Sequence, residues 1–394
     1  MPDVNPGYVK LDLFCKGLRI DRSCELEKDG TPILRTRGGL GSGLEMILPD
    51  NVWINAPVVE HFCPKSPYTL HKEAGRYVLR KAGDYVFEVT LPKAPRFYTQ
   101  KACSGKLMSR IGVMQGTYLA IYPTKMCGFW TMKPKQNCRF CSVGLTLGET
   151  EELEKTVEEV VETVRAARKE VGITFVHFNT GFYEGTSLDE LEPYIRAVKE
   201  RTGLLVGVQC PPSKRLEKYD TLKELGVNHV SFCLELFDPR RFKEVCPGKH
   251  QYIGQKAYMD AMEYCVELFG KGKVSGEIIA GLESAESTIE AIEHFAAKGI
   301  VSNVCVFRPC VGTDLEMENP PKTEDMIPIF KRVYEVCLEN NIPIGIAPNI
   351  LVSIIMLPDE GKYLTDKRYL WKRLRLGVMK ALFRAYFKLK LLRV

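Results

Sequence analysis

From residue 116 onward the chain alternates two hydrophobic rhythms. Short apolar runs at 118–122, 173–178, 204–209, 229–234, 274–280 and 304–307 read as strands. Segments with apolar residues three and four apart follow them and read as helices at 188–201, 216–225, 257–269, 288–298 and 323–340. Thr156 and Glu159 have the spacing of a capping box, opening a further helix with Val157, Val160, Val161, Val164 and Ala167 on one face. Six strand–helix units in a row predict parallel strands with helices outside. The fold class is therefore α/β, a partial or complete (β/α) barrel over residues 115–345. In such barrels chemistry gathers at the C-terminal ends of the strands.

The flanks have other patterns. Residues 1–114 read as a small, mostly β segment, with short strands near 52–54, 76–79 and 85–91. Such a segment either lids a site or packs on the barrel's outside, the commoner arrangement. Its Gly-rich stretch Gly38-Gly39-Leu40-Gly41-Ser42-Gly43 lacks the preceding strand and the following G-K-S/T that a phosphate loop needs. Residues 346–394 form a C-terminal extension whose last part, 367–394, reads as a basic amphipathic helix. Trp371, Leu374, Val378 and Leu382 make one stripe; Arg373, Lys380, Arg384 and Lys388 make another. A helix of this kind suits an anionic membrane surface or an acidic partner, or packs on the barrel with a solvated basic face.

Charge sharpens the division. The 394 residues carry a formal charge of +6, but ten Lys/Arg and one Asp between 366 and 394 supply +9, leaving −3 for the rest. A mildly acidic body argues against nucleic acid as a partner. No apolar run approaches the roughly 18 residues of a membrane span. The first six residues lack the basic start and apolar stretch of a signal peptide. With 14 cysteines, this predicts a cytoplasmic protein, peripheral at the membrane if the tail docks there, whose thiols serve metal or redox chemistry rather than disulfides.

Three of those thiols follow the first barrel strand directly. Cys127, Cys138 and Cys141 lie on one irregular loop, ten residues between the first two and two between the last two. Three thiolates suit a [4Fe–4S] cluster that leaves one iron without a protein ligand. A zinc site wants four ligands, and no second C-x-x-C or H-x-x-x-H is present. A redox C-x-x-C usually opens a helix in a thioredoxin-like unit, which the following sequence does not match. A non-catalytic zinc-binding or redox-sensing protein is the reading left from outside the enzymes.

The aromatic Phe140 in Cys138-Arg139-Phe140-Cys141 resembles the radical S-adenosylmethionine (SAM) superfamily, although the gap before the second cysteine is longer than is common there. The resemblance covers roughly 94–316. It implies that the open iron holds the amino and carboxylate groups of SAM, with Phe140 near the adenine. It places Thr180 and Gly181 of Asn179-Thr180-Gly181 at the SAM amino group and Glu235, ending its strand, at the ribose hydroxyls. It sets Gly281 of Gly276-Glu277-Ile278-Ile279-Ala280-Gly281 beside the adenine. Gln209 and Arg308 end their strands and line the pocket, Arg308 offering a fork for a carboxylate. The run from Glu235 through Val245-Cys246-Pro247-Gly248-Lys249, with Arg96-Phe97-Tyr98 and Phe307-Arg308-Pro309, is similar to the biotin-synthase-related branch, in particular to the group found in nitrilase-containing gene clusters.

The expected activity is reductive cleavage of SAM and hydrogen abstraction from a small substrate, with ferredoxin or flavodoxin as electron donor. Sulfur insertion of the biotin or lipoyl synthase type is the alternative. It needs a sulfur source such as a second iron–sulfur cluster, for which Cys210, Cys233, Cys305 and Cys310 are the candidates. The fifth strand, Val274-Ser275-Gly276, lacks the thiol that biotin synthase uses. His177 reads as a buried, hydrogen-bonded histidine, and Lys249-His250 as a solvent-facing loop.

Overall fold

The computed structural model describes residues 4–33 and 40–391; Gly38 and Gly39 of the Gly-rich stretch lie outside them. The chain opens with α1 (Pro6–Lys16), then β1 (Arg19–Ile20), β2 (Leu44–Leu48), β3 (Val52–Ala56), β4 (Tyr68–Glu73), β5 (Arg76–Lys81) and β6 (Asp84–Val89). The barrel segment contributes β7 (Val113–Met114), β8 (Leu119–Ile121), α2 (Gly128–Thr131), α3 (Val143–Thr146), α4 (Val157–Val171), β9 (Phe175–Asn179) and α5 (Glu192–Thr202). It continues through β10 (Leu205–Gln209), α6 (Lys218–Glu224), β11 (His229–Glu235), α7 (Pro239–Val245), α8 (Pro247–Tyr252) and α9 (Gln255–Phe269). Last come β12 (Val274–Ala280), α10 (Ala285–Ala297), β13 (Val301–Val306), α11 (Thr323–Glu339) and α12 (Leu370–Leu391).

Seven of these strands form one curled sheet in the order β13-β12-β11-β10-β9-β8-β7. β8 to β13 are parallel, and β7 adds antiparallel at the edge. The architecture is a partial (β/α) barrel. Side chains alternate across each strand: Leu119, Ile121, Val176, Phe178, Val206, Val208, Val230, Phe232 and Leu234 meet the outer helices in one large apolar core. The capping box of α4 is present in both directions, Thr156 Oγ1 accepting from Glu159 N at 3.2 Å and Glu159 Oε2 from Thr156 N at 2.7 Å.

The first 114 residues add one helix to the expected short strands. α1 is a full helix, capped by the Asn5 side chain and started by Pro6 at its first turn. It is buried on nearly every side, so its sequence has no clean polar face to announce it. Its charges are paired instead: Lys10 with Glu360 at 2.7 Å, and Asp12 with Lys16 at 2.7 Å, Lys81 at 2.9 Å, Tyr68 and Thr323. The segment packs on the outside of β12 and β13 together with α10 and α11. It also reaches both edges of the open sheet. Glu45 accepts from Gly116 N beside β8 at 2.8 Å, and Asn55 accepts from Arg308, just past β13, at 3.4 Å.

α12 lies at the opposite end of the barrel from the cysteine loop. Phe387 is buried against Tyr118, Ala120, Phe175 and Leu205 at the starts of β8, β9 and β10, with Phe383 beside it. The docked face is therefore Phe383 and Phe387, not the Trp371–Leu382 stripe that the sequence pattern picks out.

Candidate functional site

β8 ends at Ile121 and delivers the chain into the cysteine loop at the C-terminal mouth of the sheet. Cys127 caps the single turn of α2, and Cys138 and Cys141 follow before α3. Cys127 and Cys141 pack together with Tyr122, Trp130, Val143 and Leu147, while Cys138 joins the barrel core. The loop is laced to the end of β9 by two bonds: Gly128 N donates to Phe182 O at 2.8 Å, and Phe182 N donates to Cys127 Sγ at 3.4 Å. This approach depends on Gly181. A Cβ there would stand 2.5 Å from Tyr122 Oη and 2.6 Å from Cys127 Cβ, closer than atoms tolerate.

The three thiols have different surroundings. Cys138 accepts a hydrogen bond from the Cys246 thiol, which lowers its pKa against the effect of burial, with Lys249 helping. Burial pushes Cys127 up, and pushes Cys141 up to about 12. Buried thiols with raised pKa values ionise when a cation takes them as ligands. Among the described residues no three His, Cys, Asp or Glu side chains are gathered as a single ion requires. A cubane cluster binds each thiolate on a different iron and so accepts wider spacing. The donor set fits such a cluster.

Glu235 ends β11 just after an irregularity in register, with φ +76°, a backbone conformation that costs energy in any residue but glycine. Its carboxylate is 2.6 Å from Lys249 Nζ, which also donates to Cys233 O at 2.6 Å. Lys249 is buried on α8, not on a solvent-facing loop as its sequence suggested. Burial works against its charge, but Glu235 together with Tyr258, Cys138 and Cys233 more than offsets burial and holds its pKa well above the usual value.

Deeper in the barrel lies a polar chain. Asn179 Nδ2 donates to Gln209 Oε1, and Gln209 Nε2 donates to Glu277 Oε2 and to Cys233 Sγ, the last at 2.8 Å. The Cys233 thiol faces Glu277 Oε2 at 3.6 Å. Burial first, then the charge of Glu235, pushes Glu277 up to about 7. Below this chain His177 and His229 sit 6.4 Å apart, with His177 against Phe175 and Tyr118. Burial lowers His229 to about 4, so it is neutral.

The other sequence candidates are distributed as follows. Phe140 is half-buried against the barrel core. The Thr180 hydroxyl is 3.0 Å from Thr124 Oγ1, and its amide donates to Gln209 O at 3.0 Å. Gly281, at φ +99°, turns the chain after β12, where Pro321 would crowd any Cβ at 2.8 Å. Arg308 is buried away from the loop, ion-paired with Glu60 and donating to Leu40 O at 2.8 Å. Of the four cysteines considered for a second cluster, Cys233 and Cys305 both neighbour Glu277. Cys210 neighbours Tyr219 and Cys265, and Cys310 lies by Arg308 and Glu60. They do not converge.

Glu277, Lys249 and Cys246 were not among the sequence candidates. Glu277 carried a usable signal, a lone carboxylate inside an apolar strand. Nothing local marked Lys249 or Cys246, because their partners come from other elements.

Residues 134–296 match the radical SAM superfamily profile, which takes in Cys138 and Cys141 but begins after Cys127. A segment of 132 residues is 30% identical to bacteriochlorophyllide c C-7(1)-hydroxylase of Chlorobaculum limnaeum, covering 33% of this chain and 32% of that protein. The chain thus matches about a third of that relative's length. Among solved structures, methylornithine synthase is 18% identical over 68% of this chain and 85% of its own, with a TM-score of 0.46. Coproporphyrinogen III oxidase from Escherichia coli is 12% identical over 61% and 56%, with a TM-score of 0.39.

Proposed function

We propose, from the premise that this chain carries a radical SAM domain and is an enzyme, that it cleaves SAM at a [4Fe–4S] cluster held by Cys127, Cys138 and Cys141 and takes a hydrogen atom from a carbon of a small substrate in the barrel. One observation carries this reading above the rest: the loop that bears the three thiols meets the Gly181 turn through Cys127 at the C-terminal mouth of a parallel sheet, where a barrel places its chemistry. A cluster held by Cys127, Cys138 and Cys141 would supply the electron for cleaving SAM, and a ferredoxin or flavodoxin suits as its source.

The chain's own residues then do three things. The Gly128–Phe182 and Phe182–Cys127 bonds fix the loop. The Glu235–Lys249 pair sets a carboxylate and an ammonium beside the thiols, the groups that suit the ribose hydroxyls and the carboxylate of SAM. Asn179, Gln209 and Glu277 form the polar surface against which a substrate is oriented, and Glu277 holds a proton at its carboxyl near neutral pH. The position of this half-buried surface inside the barrel limits the water that competes for a reactive species. Sulfur insertion has less support, since Cys210 and Cys310 lie apart from Cys233 and Cys305.

Anaerobic reconstitution tests the central claim. The parent is expected to hold about four iron and four sulfide per chain and to absorb near ~400 nm. The Cys127→Ala/Cys138→Ala/Cys141→Ala variant is expected to lose both. Full iron retention in that variant overturns the assignment. Deuterium passing from a labelled substrate into 5′-deoxyadenosine identifies the abstraction itself.

A further inference from the structure

α12 has two apolar faces, and only one is used. Stepping about 100° per residue, Leu376, Phe383 and Phe387 point toward the protein, and Phe387 is fully covered. Trp371, Leu374, Val378, Leu382, Tyr386 and Leu389 form a second stripe roughly 140° away. Each of the six is between 53% and 84% exposed. With a rise of about 1.5 Å per residue the stripe runs for about 27 Å. Single exposed apolar residues are ordinary, but a continuous row of this length marks a binding surface.

The charge beside the row says what covers it. Arg373, Lys380, Arg384 and Lys388 line one flank, and Arg375 lies within the row itself. No Asp or Glu occurs from 367 to 394. A protein interface that buried six apolar residues would leave these cations stacked at its rim and would demand a strongly acidic partner. An anionic bilayer satisfies both features at once, taking the row among the upper acyl chains and the cations at the phosphates. Trp371 and Tyr386 also favour the headgroup level, where one end of the ring is apolar and the other wet. No described helix is long and apolar enough to cross a membrane, so the contact is with the surface.

We infer that the outward face of α12 docks the chain on an anionic lipid surface, the helix lying in the plane of the bilayer. Held by Phe383 and Phe387 under the starts of β8 to β10, the helix sits at the end of the barrel opposite the cysteine loop. Docking therefore leaves the mouth of the barrel open to solution. The inference stands on the helix alone and does not depend on the reaction assigned above.

Vesicle co-sedimentation of the full chain tests it, with phosphatidylcholine vesicles against vesicles containing about one-third phosphatidylglycerol. Binding to the anionic vesicles is expected to be at least ~10-fold tighter and to weaken as salt rises. Trp371 fluorescence is expected to shift to the blue and to be quenched by brominated lipid, a signal that Trp371→Phe removes. Leu374→Ser/Val378→Ser/Leu382→Ser changes only outward positions, so it should melt like the parent and lose the binding. If this variant does not fold, the Trp371 quenching in the parent still decides. Equal binding to both vesicle types, unchanged binding by the triple variant, or absence of quenching overturns the inference. So does a dimer in light scattering that the triple variant dissolves while vesicles are ignored, since the occupant is then a second copy.

Discussion

Glu277 shows what burial does to a single group. In the unfolded chain its carboxyl titrates near 4.5; in the barrel, burial and then the charge of Glu235 raise it to about 7. Between those values the folded form keeps a proton that the unfolded form has released. Its contribution to stability is therefore largest below the unfolded pKa and declines as pH rises through about 7. At about 1.4 kcal/mol per unit the full effect is on the order of 3 kcal/mol. Glu277→Gln removes this slope, so the melting temperature of the variant minus that of the parent should grow from about pH 5 to about pH 8 in cofactor-free protein. A difference that stays flat with pH would mean that Glu277 is ionised throughout. The sequence did show Glu277 as a carboxylate in an apolar strand, but only the register of β11 and β12 brings Cys233 opposite it.

Between elements, the deciding contact is the pair that joins β11 to α8. Glu235 was legible as a carboxylate ending an apolar strand. Lys249 was not, since a lysine in a Pro-Gly-Lys-His run looks solvated. Backbone bonds from Arg139 N to Val245 O and from Gly248 N to Gln136 O dock α7 and α8 onto the cysteine loop. That docking carries Lys249 inward. Breaking a buried pair from one side leaves an uncompensated charge, so Lys249→Ala is expected to cost about 3–5 kcal/mol in denaturant unfolding. Lys249→Met with Glu235→Gln should recover most of that loss, because neither charge then remains. If the double variant is as unstable as the single one, the lysine acts through its packing and not through the pair.

At the scale of the whole molecule, Arg308 ties the first 114 residues to the barrel through Glu60, Leu40 and Asn55. Arg308→Met strands the Glu60 charge and should destabilise the chain by about 3–5 kcal/mol. Proteolysis within the first 114 residues should also become faster, with SAM affinity of the reconstituted protein nearly unchanged. Unchanged melting with weakened SAM affinity would instead return Arg308 to the role of a carboxylate ligand. Its partner lies 248 residues away in the chain, beyond the reach of any sequence pattern. The sequence alone determined the strand–helix alternation, the capping box of α4 and the three-thiol loop after the first barrel strand, because each is written in residues a few positions apart. The tertiary structure alone decided that α1 is a buried helix, that Lys249 faces Glu235, that Arg308 faces Glu60, and which stripe of α12 meets the barrel. Burial of a charge or of an apolar stripe depends on what distant segments bring against it, and local periodicity carries no record of that.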